Sequence, residues 1–147
     1  MNHDLHDSIR EQASASRQRL EDARVLLRAS RWRGSMYIAG YAVECLLKTK
    51  LMQIYDCKNL RELDDVLQRR FVLPVGSTTF THQLETLFKL TPSYHRLQQN
   101  QDILSLFNVV NRWAPKWRYV SKRTTRDEAS FFMNAVEEVM HWIDNNI

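Results

Sequence analysis

The sequence predicts an all-α fold: an antiparallel up-and-down bundle of four main helices, with one or two short helices beside them. The 147 residues include only three glycines and three prolines, too few turn signals for a fold of many short strands. Apolar residues recur at three- and four-residue intervals along most of the chain, as in amphipathic helices. A hydrophobic fraction of 44% fills one core at this length, so residues 1–147 are expected to form a single domain.

The first two main helices are predicted on either side of a break at residues 30–34. The first is expected from about Asp4 to Ala29, where apolar and charged positions alternate with helical spacing. The second extends to about Tyr55 and is apolar around most of its circumference from Met36 to Leu47, as expected of the most buried helix in a bundle. Its more polar stripe consists of Tyr37, Tyr41, Glu44 and Lys48.

The middle of the chain carries weaker helical patterns. Residues 60–70 fit a short helix, and the breakers in residues 73–77 predict a loop or lid. Thr81 is placed to cap a short helix over residues 82–90, which Pro92 ends.

Two more main helices are predicted towards the C-terminus. Residues 103–110 show the apolar pattern of a helix. Pro115 should end this helix near Trp113, because the residue before a proline avoids the helical conformation. Thr125 and Glu128 have the spacing of a capping box, which marks the start of the last helix.

Positive charge is concentrated in one segment. Residues 112–126 carry six basic residues and no acidic one. The positive charge of this segment therefore exceeds the net charge of +4 for the whole chain. From 112 to 119 the cations alternate with aromatic rings, a combination that binds phosphates while stacking unpaired bases. The alternative is that at least two of Trp113, Trp117 and Tyr119 pack in the core. Contacts with nucleic acid are predicted for Lys116, Trp117, Lys122, Arg123 and Arg126.

The sequence predicts a supporting cluster on the second helix. Glu44 precedes Lys48 by four residues, the favourable order for a helical ion pair. Two interpretations stay open: a simple intrahelical bridge, or a Glu44 carboxylate that orients the guanidinium group of Arg112 or Arg118. Tyr41 lies on the same stripe, and with Glu44 and Lys48 it is predicted to support a site.

The run Gly-Tyr-Ala-Val-Glu-Cys-Leu-Leu-Lys at residues 40–48 resembles the second helix of HEPN domains. Residues 82–87 look like the His-x-Leu-x-x-Leu element of many family members, and residues 113–119 are similar to their Trp-to-Arg-Tyr segment. The resemblance covers roughly residues 15 to 145. It implies a helical bundle that pairs into a dimer, often with an RNA-directed or toxin–antitoxin role.

Many active HEPN proteins are metal-independent ribonucleases whose signature is Arg, four to six residues, then His, often with Tyr two positions later. Here Arg112 and Tyr119 match the outer positions, while Trp117 stands at the histidine position. Arginine binds phosphate well but does not exchange protons near neutral pH, and tyrosine is a poor base. A rearranged catalytic site would therefore combine Arg112, Arg118 and Tyr119 with His82.

The sequence is compatible with three functions. The first is a dimeric HEPN-like protein that binds RNA or a macromolecular partner in a defence or toxin–antitoxin setting. The second is a metal-independent endoribonuclease with the rearranged site. The third is a non-catalytic interaction module for a nucleotidyltransferase partner.

Other sequence features bear on the cellular location of the protein and on whether it binds a cofactor. The N-terminus lacks the layout of a signal peptide and no apolar run is long enough to cross a membrane, so a cytoplasmic protein with free thiols is expected. Cys45 and Cys57 are the only cysteines and lack metal-type spacing, so neither a metal nor a cofactor is predicted. The second helix has more apolar surface than a small bundle readily buries within one subunit. This excess also predicts a homodimer.

Overall fold

The computed structural model describes residues 8–70, 72–73, 76–120 and 123–147, and every regular element in them is a helix. The all-α prediction is confirmed. The elements are α1 (Ile9–Arg28), α2 (Trp32–Ile54), α3 (Leu60–Arg69), α4 (Leu84–Lys89), α5 (Tyr94–Gln99), α6 (Gln101–Val110), a 3-10 helix (Pro115–Tyr119) and α7 (Arg126–Asn146).

Helices α1 and α2 form an antiparallel pair held by two buried serines. The hydroxyl of Ser16 donates to the carbonyl of Ala42, and the hydroxyl of Ser35 donates to the carbonyl of Ala23, both at 2.9 Å. Residue numbers rise along one helix as they fall along the other, which identifies the antiparallel direction. Small side chains at these four positions let the two backbones approach closely.

Helix α7 runs parallel to α2. Arg33 near the start of α2 lies 3.5 Å from the hydroxyl of Thr124, just before α7, while Lys50 near the end of α2 pairs with Asp144 at 3.3 Å. At the far end of α7, the carbonyl of Asn146 accepts a hydrogen bond from Ser93, which precedes α5. Helix α6 therefore runs back along α7, which completes the up-and-down order.

The core is centred on α2, as its composition predicts. Val43, Leu47 and Leu51 are fully buried. In the C-terminal half of the chain, the ring of Phe88 on α4 contacts the ring of Phe107 on α6, with centroids 5.1 Å apart. Burial of side chains this large supplies most of the favourable free energy of folding.

Several helix limits differ from the sequence prediction. Helix α4 begins at Leu84 after Gln83, because the Thr81 hydroxyl accepts from the amide of Gln83 in a local turn instead of capping the helix. Asn100, whose side chain accepts from the amide of Ile103, starts α6 earlier than predicted. Helix α5 and the 3-10 helix were not predicted, so the expected one or two short helices are too few.

Other predictions fall partly outside the described residues. These include the start of the first helix at Asp4 and part of the 73–77 segment, in which Pro74 and Val75 are not described. Within the described part of the chain, no helix combines the length and apolar character needed to cross a bilayer.

Candidate functional site

One face of α2 is covered by the segment that follows α6. The α2 residues on this face, Arg33, Tyr37, Tyr41, Glu44 and Lys48, recur every three or four positions and therefore lie in one row. Residues 113–119, called the ridge below, pack over this row: the indole N–H of Trp113 donates to the carbonyl of Tyr37 at 2.9 Å. The row and the ridge together form the candidate site.

Gly40 allows the ridge to approach α2. A Cβ atom at this position would lie 2.1 Å from Cδ1 of Trp113, far inside van der Waals contact. The Trp113 ring therefore rests directly on the helix backbone, with Tyr41 edge-on to it at a centroid distance of 4.7 Å. This contact fixes the position of the ridge.

A histidine and two buried charges meet at one end of the row. Glu44 is only 5% exposed, and its Oε1 atom lies 2.5 Å from Nδ1 of His82, while its Oε2 atom lies 3.4 Å from Nζ of Lys48. A carboxylate only accepts hydrogen bonds, so Nδ1 of His82 carries the proton and donates it. The side chain of His82 is 51% exposed, and Glu44 hydrogen-bonds to its Nδ1 atom and not to Nε2.

Tyr41 is a hydrogen-bonding group at this site and not a base. Burial, followed by its hydrogen bond with Tyr37 and the charge of Glu44, raises its pKa well above the usual value, against a smaller opposite effect of Arg118. The two phenol oxygens are 3.2 Å apart. Tyr41 therefore stays protonated at neutral pH.

Arg118 and Tyr119 are exposed residues at the C-terminal end of the ridge. The guanidinium carbon of Arg118 lies 4.7 Å from the ring centroid of Tyr119, a cation–π arrangement. Interactions with Tyr119 first, and with Tyr37 second, raise the pKa of Arg118. Tyr119 is 74% exposed, so its ring is available to a ligand.

A cleft of about 640 Å³ opens beside His82. Glu85 on its wall accepts hydrogen bonds from Tyr94 at 3.1 Å and from Asn111 at 3.2 Å, and it pairs with Lys89 at 3.3 Å. Partial burial opposes ionisation of Glu85, but these hydrogen bonds outweigh it and lower its pKa. Lys89 and Lys116 are the cationic side chains that line the cleft, and His82 lines it as well.

A second groove, of about 430 Å³, lies on the other side of the ridge. Trp117 packs against Phe132 with centroids 5.4 Å apart, and the guanidinium of Arg33 lies 5.0 Å from the Trp117 ring centroid. The groove is lined by Arg33, Met36, Val109, Arg112, Trp117, Glu128, Phe131 and Phe132.

The structure brings together some of the sequence-predicted site residues and separates others. His82 meets Glu44 and Lys48, and Arg118 lies near Tyr37 and Tyr41. Arg112 instead lines the second groove. Among the described residues, neither arginine comes within 4.0 Å of Glu44, whose partners are Lys48 and His82, so the interpretation in which Glu44 orients an arginine is wrong.

The remaining predicted residues divide by exposure. Of the three aromatic residues, Trp113 is buried, Trp117 is partly buried against Phe132, and Tyr119 is exposed. Lys116, Arg123 and Arg126 are exposed, and Lys122 lies outside the described residues.

Sequence reasoning missed parts of this site for different reasons. Arg33 stands one helical turn before Tyr37, so the spacing of the stripe could have included it. Gly40 contacts Trp113, and Glu85 contacts Asn111, far along the chain, so a single sequence carries no signal for these two contacts. The i,i+4 spacing of Glu85 and Lys89 is a local signal that was overlooked. Within the described residues, no group of three potential ligands could hold a metal ion, and Cys45 and Cys57 are buried free thiols.

Comparison of the chain with protein-family models, curated proteins and solved structures found no match of any of the three kinds. The resemblance to HEPN domains therefore stays a prediction from the sequence.

Proposed function

We propose that this protein binds single-stranded RNA along the ridge and the basic residues that flank it. It acts in the cytoplasm as a homodimer, in the defence or toxin–antitoxin setting implied by the resemblance to HEPN domains. The proposal rests on the surface chemistry of residues 112–126.

The observation that carries this proposal is the Arg118–Tyr119 pair. A ring exposed to 74% offers a stacking platform for an unpaired base, and the adjacent guanidinium can hold the phosphate next to that base. Packing alone does not explain a tyrosine so far out of the core.

The cations of the ridge and its flanks lack internal counter-ions. In the part of the chain that the structure describes, no carboxylate lies within 4.0 Å of Arg112, Lys116, Arg118, Arg123 or Arg126, although seven pairs of arginine or lysine with a carboxylate occur elsewhere. An uncompensated cluster of this kind favours a polyanion, because binding releases condensed counter-ions.

Salt dependence tests the proposal. Fluorescence anisotropy with a labelled twelve-nucleotide uridine strand, over a series of potassium chloride concentrations, should give an affinity that falls steeply with salt. The slope of log affinity against log salt should be about −0.7 per phosphate contact, and Arg118→Gln should flatten it by about one contact.

Arg61 supplies the matched control, since it is an exposed arginine on α3 away from the ridge. Arg61→Gln should leave the slope unchanged. Weak binding without a salt slope, or equal effects of the two substitutions, would reject the ridge as the RNA-binding surface and favour the interaction-module alternative.

The Glu44–His82 contact favours a second candidate function, a metal-independent endoribonuclease. A buried carboxylate that fixes the tautomer and orientation of a half-exposed histidine is a common arrangement for proton transfer. Arg118 would stabilise the charge that develops on the phosphate.

In this candidate reaction, Nε2 of His82 takes the proton of a ribose 2′-hydroxyl while the 2′-oxygen forms a bond to phosphorus. The bond from phosphorus to the 5′-oxygen breaks, and the leaving oxygen takes a proton from water. Glu44 acts as a positioning residue, because it touches His82 and not the substrate.

Cleavage of the same uridine strand in the presence of chelator tests this candidate. Activity that is lost in His82→Ala and Arg118→Ala, and kept in His95→Ala, would support the enzyme. His95 is a suitable control because it is a solvent-exposed histidine on α5. Absence of cleavage by the unmodified protein would leave RNA binding as the function.

A further inference from the structure

The second groove, between the ridge and α7, contains two cations without anionic partners. Among the described residues, no carboxylate lies within 4.0 Å of Arg33 or Arg112. The Nε atom of Arg33 has no hydrogen-bond acceptor, and its Nη1 atom makes only a 3.5 Å contact with Thr124. Two guanidinium groups on one groove provide the forked donors that match phosphate oxygens.

The same groove has an aromatic wall. Phe131 on α7 is 55% exposed although it is a large apolar side chain. It lines the same groove as the partly buried Trp117, which packs against Phe132 and Arg33. A planar base fits such a wall, because stacking covers the apolar ring and leaves the edge of the base free for hydrogen bonds.

Glu128 is the one residue lining the groove whose negative charge repels a phosphate. It is exposed on the first turn of α7, and no described cation lies within 4.0 Å of its carboxylate. A free carboxylate has two acceptor oxygens side by side. Guanine alone among the four RNA bases presents two adjacent donors, N1–H and the N2 amino group, on its Watson–Crick edge.

We propose that this groove holds one unpaired guanine nucleotide of a bound RNA strand. Its phosphate lies on Arg33 and Arg112, its base stacks on Phe131 and Trp117, and its Watson–Crick edge donates to Glu128. This inference rests on the proposed RNA-binding function and adds a base preference to it.

The test compares two labelled twelve-nucleotide strands, uridine with one central guanine and uridine with one central adenine. The guanine strand should bind at least about fivefold more tightly, the lower limit for a two-hydrogen-bond contact with a base. Glu128→Gln should reduce the ratio of the two affinities towards one, because an amide offers one acceptor and places a donor against the base. Arg112→Gln should weaken both strands and leave the ratio unchanged.

Glu138→Gln is the matched control, since Glu138 is another exposed glutamate of α7 outside the groove. It should keep the ratio of the wild type. Salt-dependent binding with equal affinity for the two strands, or a ratio that Glu128→Gln does not change, overturns the guanine site but leaves RNA binding intact. If neither strand binds, the proposed function fails, and the guanine site fails with it.

Discussion

The Nδ1 atom of His82 lies 2.5 Å from the Oε1 atom of Glu44, across 38 residues of sequence. The contact ties the loop before α4 to the middle of α2. It joins an exposed imidazole to a carboxylate that is buried with Lys48. The stability of the bundle and the geometry of the candidate site therefore depend on the same carboxylate.

Loss of that carboxylate should destabilise the fold. Glu44→Ala leaves the buried ammonium group of Lys48 without a counter-ion, which costs about 3–5 kcal/mol in comparable buried pairs. Urea denaturation monitored by circular dichroism measures the free energy of unfolding. The double change Glu44→Ala with Lys48→Met should recover part of the lost stability. A loss of under about 1 kcal/mol in Glu44→Ala alone would show that the pair is not buried as described.

Gly40→Ala should displace the ridge. The new Cβ atom would overlap the indole ring of Trp113 at 2.1 Å, and overpacking of this kind costs about 1–3 kcal/mol. Gly34→Ala is the matched control in the same helix, because the nearest atom to its Cβ would be Leu26 Cδ1 at 3.8 Å. The control should be neutral or stabilising by up to about 1 kcal/mol, and equal losses in the two variants would contradict the Trp113 contact.

The cysteines should react slowly in the native protein. Burial first, then the charge of Glu44, raises the pKa of Cys45 to about 11, and burial also raises the pKa of Cys57. The thiolate is the reactive form, so alkylation of Cys45 by iodoacetamide at pH 8 should be slow and should accelerate as the pH rises. Both thiols should react rapidly in urea. Fast alkylation of the native protein at pH 8 would contradict this burial.

Glu85 should contribute stability that acid removes. Its folded-state pKa is lowered, so its contribution is complete above the unfolded-state pKa and is lost as the pH falls through the folded-state pKa. Denaturation series at neutral pH and at about pH 3 should show a smaller loss of stability on acidification for Glu85→Gln than for the wild type. Glu138→Gln should behave as the wild type, and identical acid losses in all three proteins would contradict the role of Glu85.

The helices of the bundle could be predicted because their signals are local. The apolar stripe of α2 and the Thr125 cap of α7, whose hydroxyl accepts from the amide of Glu128 at 3.1 Å, are visible within one or two helical turns. Helix α5 was missed because its one buried residue, Leu97, forms no apolar stripe, whereas the equally short α4 buries Leu84, Leu87 and Phe88.

The site was only partly predictable, since its key contacts join distant residues. The spacing of Glu44 and Lys48 predicted their ion pair, but nothing near His82 in the sequence identified Glu44 as its partner. The position of Arg112 depends on how the chain turns after α6. Its assignment to a shared site with His82 followed from the family motif and not from packing.

Photochemical crosslinking identifies the residues that contact the RNA. A uridine strand that carries 4-thiouridine is irradiated with the protein near physiological salt, and mass spectrometry locates the crosslinked residues. We expect crosslinks within residues 112–126, chiefly at the exposed Tyr119 ring, and their loss at high salt. Crosslinks confined to α3 or α5, or none while the strand is bound, would contradict it.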